Sequence, residues 1–347
     1  MRKIGIVLAV GLALCVGMQA HAAKKKVTVA ADGSGDYKTV QAAVDAAPDA
    51  GEVIRIKPGV YKELINVPKN GIEMRGLGKQ PQDVVLSWHN SHTMAGGTGK
   101  SASITVSGDD FIAENLTMEN TYEKDFGRRD PDSQAVALLV TGDREVFRHI
   151  RLLGFQDTLY ANSKLCHDAA GMAANNGGAV DTKLPPCQAA RQYFTDCYIE
   201  GHVDFIFGDG LAYFDHCELH GLASRMVTFT AQSKLYPSEK SGYVFNHCTI
   251  TAAEGAKEIL FGRPWRAYST VYFLNTNITA PLDPAGWQEW AGKLVTSSYG
   301  EYHSTGIGAD TSKRIGSHQL TDAEAATMDT PKKWLGGTDG WNPEKIK

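Results

Sequence analysis

Short apolar runs, each punctuated by Gly, Asn or Asp, follow one another along most of the chain: Val53 to Ile56, Ile72 to Met74, Val84 to Trp88, Ala102 to Val106, Ala135 to Val140, Tyr243 to Thr251 and Thr270 to Thr279. Runs of this length predict strands, and their succession predicts an all-β chain. A unit recurs among them: apolar, two residues, Cys or Asn, one residue, apolar. It is clearest at Phe194–Ile199, Phe214–Leu219 and Phe245–Ile250, with looser copies starting at Ile112 and Phe147. Starts at 112, 147, 194, 214 and 245 are 35, 47, 20 and 31 residues apart, which fits a coil of about 20 residues carrying loops of varied length. We therefore expect a right-handed parallel β-helix, a solenoid with short terminal helices and long loops. A β-sandwich would instead show hairpin turns at regular short spacing.

Equivalent positions in neighbouring coils lie about 4.8 Å apart, so sequence offsets become contacts. Cys197, Cys217 and Cys248 share the fourth place of the unit, within reach of a disulfide. Cys197 with Cys217 is the preferred bridge, Cys217 with Cys248 is geometrically open, and a reduced buried ladder is the alternative. Asp157 lies ten residues after Phe147, and Asp204 ten residues after Phe194. The two carboxylates should therefore sit side by side, provided that the 47-residue step is one coil plus a loop. The segment Ala161 to Gln192, rich in Gly, Ala and Asn, supplies that loop, and its Cys166 and Cys187 offer a second disulfide.

At the ends, Val40, Ala43, Val44 and Ala47 after Thr39 predict a short amphipathic helix capping the first coil. Thr321 and Glu324 have capping-box spacing for another.

The start of the chain changes the cellular picture. Arg2 and Lys3, the apolar stretch Ile4 to Met18, and Ala20-His21-Ala22 read as a secretory signal over residues 1–22, leaving a single catalytic domain over 23–347. A stretch of about 15 apolar residues is short of the roughly 20 needed to span a bilayer. Export, to the periplasm or beyond the cell, permits disulfides, but five cysteines in the mature chain leave at least one unpaired within a monomer, the expected state. Composition is ordinarily globular, at 42% hydrophobic and 21% charged. Loss of Arg2 and Lys3 takes the formal charge from -4 to -6, so nucleic acid is not an expected partner, nor is a membrane for the mature form.

Two acids one coil apart do not both ionise cheaply, which separates them into an acid and a nucleophile. Their surroundings are informative: Gly154-Phe-Gln156-Asp157-Thr-Leu-Tyr160, Gly201-His-Val-Asp204-Phe-Ile-Phe207-Gly208, Gln134-Ala-Val-Ala-Leu138 and Gly262-Arg263-Pro-Trp265. These four segments, in this order, closely resemble the signature segments of the pectin methylesterase (pectinesterase) family, in its bacterial secreted form. The resemblance runs from about Val27 to the Trp341 region and includes Pro58-Gly-Val-Tyr61. It implies hydrolysis of methyl esters of polygalacturonate (pectin) to pectate and methanol, in pectin degradation or cell wall modification, with no cofactor and no metal.

By that resemblance Asp204 is the nucleophile that forms a covalent aspartyl intermediate, and Asp157 the general acid and then base. Gln134 and Gln156 match glutamines that donate to the oxyanion, and Arg263 matches the arginine that pairs with the nucleophile. Tyr160, Phe207, Trp265, Thr98 and Trp290 match positions that line the sugar-binding groove. His202, where Thr is common, Phe155, where Tyr is usual, and the 161–192 insertion depart from the pattern. Pectate lyase or polygalacturonase chemistry, a retaining glycosidase and a non-catalytic adhesin or polysaccharide-binding module are the rival readings. The glutamines and arginine beside the acids favour ester chemistry. The pairs His89 with His92 and His216 with His220 lack a third metal ligand at recognisable spacing.

Overall fold

The computed structural model describes residues 24–128, 133–164 and 190–346. The leader, and Cys166 and Cys187 with the bridge expected between them, lie outside these residues. Among the described residues, strands form three all-parallel sheets of eleven, eight and seven strands, and successive coils visit the three in turn. One coil runs through Glu145–Arg148, Arg151–Leu153 and Leu159–Ala161; the next runs through Arg191–Thr195, Tyr198–Gly201 and Ile206–Gly208. The fold is the right-handed parallel β-helix expected from the repeat.

Two residues make the corner from the eleven-stranded to the eight-stranded sheet. The first takes a left-handed conformation, with φ of 55° at Asn115, 48° at His149, 54° at Asp196, 51° at His216, 53° at His247 and 48° at Asn275. Asn, Asp and His tolerate this region better than other side-chain-bearing residues, which accounts for their recurrence here. These corners cut runs that the sequence reading had left whole. Tyr243 to Thr251 is two strands, Gly242–Asn246 and Thr249–Ala252, and Thr270 to Thr279 is likewise divided at Asn275.

The register supports most of the coil arithmetic. Phe147 pairs with Phe194, Phe194 with Phe214 and Phe214 with Phe245. Their rings stack at centroid separations of 4.6, 4.8 and 4.4 Å along the core. Burying each is worth about 2 kcal/mol from apolar area alone. Phe273 continues the stack at 4.7 Å; the sequence reading passed over it because Thr276 stands where the neighbouring units have Cys. The earliest unit is out by one: Phe147 pairs with Ala113, not Ile112, so the left-handed Asn115 aligns with His149.

Cys197, Cys217 and Cys248 are the inward second residues of three successive corners. They are free thiols, against the expected Cys197–Cys217 bridge. Each thiol donates to a carbonyl oxygen of the preceding coil: Cys197 to Phe147, Cys217 to Phe194 and Cys248 to Phe214. A small, weakly polar side chain suits a tight buried corner, and burial pushes the Cys197 and Cys217 thiols well above their ordinary range, which keeps them unreactive.

Thr39 Oγ1 accepts from the Ala42 amide to start helix Val40–Ala46, whose Val40, Ala43 and Val44 close the first coil. Thr321 and Glu324 form the expected capping box of helix Asp322–Ala325. The C-terminal segment packs Met328, Leu335 and Trp341 against Tyr193, Tyr213 and Val244 on the outside of the eleven-stranded sheet. The insertion proves shorter than its expected bounds, since Ala161 ends one strand and Arg191 and Gln192 begin the next.

Candidate active site

Leu159 pairs with Ile206, which places Asp157 and Asp204, two residues earlier in each strand's approach, on neighbouring rungs. Both lie at the corner entering the seven-stranded sheet and both are left-handed, with φ of 65° and 52°. The Asp157 amide donates to the Val203 carbonyl at 3.1 Å, tying the two corners together. Both residues are buried, at 8% and 7% exposure.

Their surroundings differ. Arg263 forks onto Asp204, with Nε 2.9 Å from Oδ1 and Nη2 2.7 Å from Oδ2. A two-pronged guanidinium contact of this kind fixes the plane of a carboxylate as well as opposing its charge. Thr228 completes the hold: its hydroxyl donates to Asp204 Oδ1 at 2.7 Å and accepts from the Asp204 amide at 2.7 Å. Among the described residues Asp157 has no such cation in contact. Burial first, then the charge of Asp204, push its carboxyl well above the ordinary range, with Arg263 as the weaker opposing influence. One acid is thus held between a cation and a hydroxyl, and the other favours its proton.

Gln134 and Gln156 come from adjacent coils, joined by the Ala135 amide donating to the Gln156 carbonyl at 3.1 Å. Among the described residues the side-chain oxygen of Gln134 is buried with no hydrogen-bond partner. On the outer face of the seven-stranded sheet, Tyr160 stacks on Phe207 at 4.1 Å, and Trp265 leans against both at 6.3 and 5.9 Å. Ala102, Val136 and Ala231 extend this apolar platform. Thr98 begins the turn that brings Gly99 against the Tyr160 ring, and its hydroxyl bonds His92 Nδ1 at 2.8 Å. The Arg263 guanidinium stands 4.3 Å from the Trp290 ring centre. The expected residues therefore form two connected groups, the carboxylates with Arg263 and Trp290, and the aromatic platform beside them.

Two contributors were missed. Thr228 lies on the rung after Asp204, because Ile206 pairs with Thr230; its strand, Val227–Gln232, follows the copy of the unit at Phe214, but a longer loop puts Thr228 fourteen residues after Phe214, where the ten-residue offset does not reach. Gln288 accepts from Arg263 at 3.3 Å and carries no sequence signal. The departure at His202 has a role: its Nδ1 accepts from the Val203 amide at 2.8 Å, and its Nε2 meets Glu123 at 3.0 Å, fastening helix Tyr122–Phe126 to the Asp204 corner. Neither sequence-adjacent histidine pair comes together as a metal site. His92 bonds Thr98, His89 stacks on Trp88 at 4.7 Å, and His220 bonds Thr251 at 2.7 Å. A cavity of about 440 Å³ near Asp143, Arg144, Lys164 and Arg191 is lined by neither Asp157 nor Asp204.

The family model described as Pectinesterase matches residues 26–167 and 180–338. Pectinesterase 31 of Arabidopsis thaliana is 36% identical over 320 residues, covering 88% of this chain and 90% of its own length. A solved pectin methylesterase from carrot superimposes with a TM-score of 0.77 at 32% identity, over 92% of this chain and 95% of its own. A pectin methylesterase solved in complex with a hexasaccharide superimposes at 0.73 with 30% identity, over 93% and 99%. The chain spans about half the length of some other plant relatives that it matches.

Proposed function

Because the chain belongs to the pectinesterase family, a group of carboxylic ester hydrolases that demethylesterify pectin in cell wall modification or degradation, we propose how its own residues divide that reaction. The observation that carries the assignment is the unequal environment of two acids on adjacent rungs, Asp204 under Arg263 and Asp157 without a cation.

Asp204 attacks the ester carbonyl carbon of a galacturonate unit through one carboxylate oxygen. The resulting oxyanion accepts from the Gln134 and Gln156 amides, neutral donors that suit charge appearing only in the transition state. Asp157 gives its proton to the departing methoxy oxygen, releasing methanol and leaving an acyl-aspartyl anhydride. Asp157, now a carboxylate, takes a proton from water, whose oxygen attacks the acyl carbon. Galacturonate leaves as a free acid group, Asp204 is restored, and Asp157 is protonated again. Arg263 holds Asp204 in plane throughout, and Trp290 packs behind Arg263. Tyr160, Phe207 and Trp265, with the Thr98 turn, offer a surface for sugar rings.

The working form we propose is a secreted monomer of one catalytic domain, cleaved near Ala22. Support for export is the leader's charge and apolar pattern. The bacterial attribution rests on the sequence reading alone, since the relatives named by organism above are plant enzymes.

Incubation of the mature protein with highly methylated pectin tests the assignment. Methanol release with acidification, no new unsaturated ends and unchanged chain length is expected; chain cleavage or inactivity would overturn it.

A further inference from the structure

On a different corner from the catalytic acids, His216 and His247 hold equivalent places in neighbouring coils, as the pairing of Asp215 with Asn246 requires. Their rings stack with centroids 4.9 Å apart and both are about half exposed. Asp215, the last residue of strand Leu211–Asp215, turns one oxygen to both imidazoles: Oδ1 lies 2.9 Å from His216 Nδ1 and 3.7 Å from His247 Nδ1. Its other oxygen accepts from the Tyr193 hydroxyl at 3.3 Å. One donor atom from each of the three residues falls within 4.8 Å of the others.

We infer that Asp215, His216 and His247 form a surface site for a borderline transition-metal ion, Zn2+ or its neighbours Ni2+ and Cu2+. The left-handed backbone accounts for a small polar residue at each corner, but Asn meets that need at 115 and 275. Turn geometry therefore leaves unexplained why two imidazoles flank a carboxylate here. Tetrahedral coordination at bonds of about 2.0–2.1 Å sets donors roughly 3.3 Å apart, between the two Asp215–imidazole distances. The half-exposed rings have room to rotate their lone pairs toward a shared ion. Two imidazoles with one carboxylate suit Zn2+, Cu2+ and Ni2+ better than Ca2+ or Mg2+, which favour all-oxygen sets. Tyr193 orients the carboxylate as an outer partner orients a metal ligand. An ion here clips two coils together at a distance from the ester chemistry, so it acts on stability and leaves turnover alone.

Isothermal titration of tag-free, EDTA-treated mature protein with ZnCl2 tests this. One strong equivalent per chain is expected, with a rise in melting temperature that the His216→Ala and His247→Ala variants lose. Tyr193→Phe should weaken zinc about tenfold. Copper bound to the wild-type chain should give an electron paramagnetic resonance spectrum with nitrogen couplings from two imidazoles. Melting of the metal-free variants near the wild-type temperature establishes that they fold. Absence of zinc binding in the wild-type chain, or an equivalent retained at full affinity by both alanine variants, would overturn the site.

Discussion

At the corner between the eleven- and eight-stranded sheets the chain bends through a left-handed Asn, Asp or His in coil after coil, and these side chains mostly face water. At the corner entering the seven-stranded sheet it bends through left-handed Asp157 and Asp204, and both are buried. The backbone device is the same. At the first corner a polar side chain eases a turn, whereas at the second the buried carboxylates need a cation or a proton, and that need marks them as candidate functional groups. Burial at the corner, more than the turn itself, separates scaffold from site.

The largest effect expected from breaking this contrast is at Asp204. Asp204→Ala removes the proposed nucleophile and should lower methanol release by roughly four orders of magnitude or more, with unchanged circular dichroism. Near-wild-type release would take Asp204 out of the mechanism. Arg263→Ala comes next, because it strips the cation from a buried carboxylate: about 3 kcal/mol or more of stability should go, with roughly a hundredfold loss of kcat. Arg263→Lys keeps the charge without the fork and should recover stability better than rate. Equal recovery of both would reduce Arg263 to a counter-charge.

Much of this contrast was legible in the chain, for a physical reason. A parallel stack turns equal offsets into contacts, so ten residues after Phe147 and ten after Phe194 located the acids without any structure. The same rule fails where its anchor is weak. Ile112 was set one residue early because two apolar residues, Ile112 and Ala113, compete for the first place of the unit, and Phe273 was passed over because Thr276 replaces Cys. Thr228 went unseen because the loop between Gly221 and Val227 is four residues longer than its counterpart after Gly201, which moves Thr228 from ten to fourteen residues after the phenylalanine of its unit. The cysteines erred differently. Offsets place three sulfurs on adjacent rungs but say nothing of their rotamers, and each thiol finds a carbonyl instead. Roles for the glutamines and groove aromatics came from resemblance, because an amide awaiting an oxyanion looks in sequence like any ladder residue.

Asp157 gives a smaller, pH-dependent effect. Its folded-state pKa is raised by burial, so above the ordinary carboxylate range the folded chain binds more protons than the unfolded chain, and stability falls as pH rises through that window. Asp157→Asn has no such proton to lose. Its chemical-denaturation midpoint should vary less with pH and lie above the wild-type midpoint at neutral pH, while turnover drops by roughly 10²- to 10⁴-fold. A variant less stable than wild type at neutral pH would mean that Asp157 is not the acid that burial disfavours.

The smallest effect belongs to the exposed corner, and it isolates the backbone. Asn275 is left-handed, and its side-chain amide donates to Asn246 Oδ1 at 2.9 Å. Replacement by Ala or by Gly loses that hydrogen bond equally, so the difference between the two variants reports the conformation alone. Ala strains at positive φ where Gly does not, and Asn275→Gly should be the more stable by about 1 kcal/mol in urea unfolding, with methanol release unchanged in both. Asp204→Gly, built on the same backbone conformation, should keep the fold and lose the reaction. If Asn275→Ala matched Asn275→Gly, the left-handed turn would carry no cost, and tolerance of that conformation could not be what selects Asn, Asp and His along this corner.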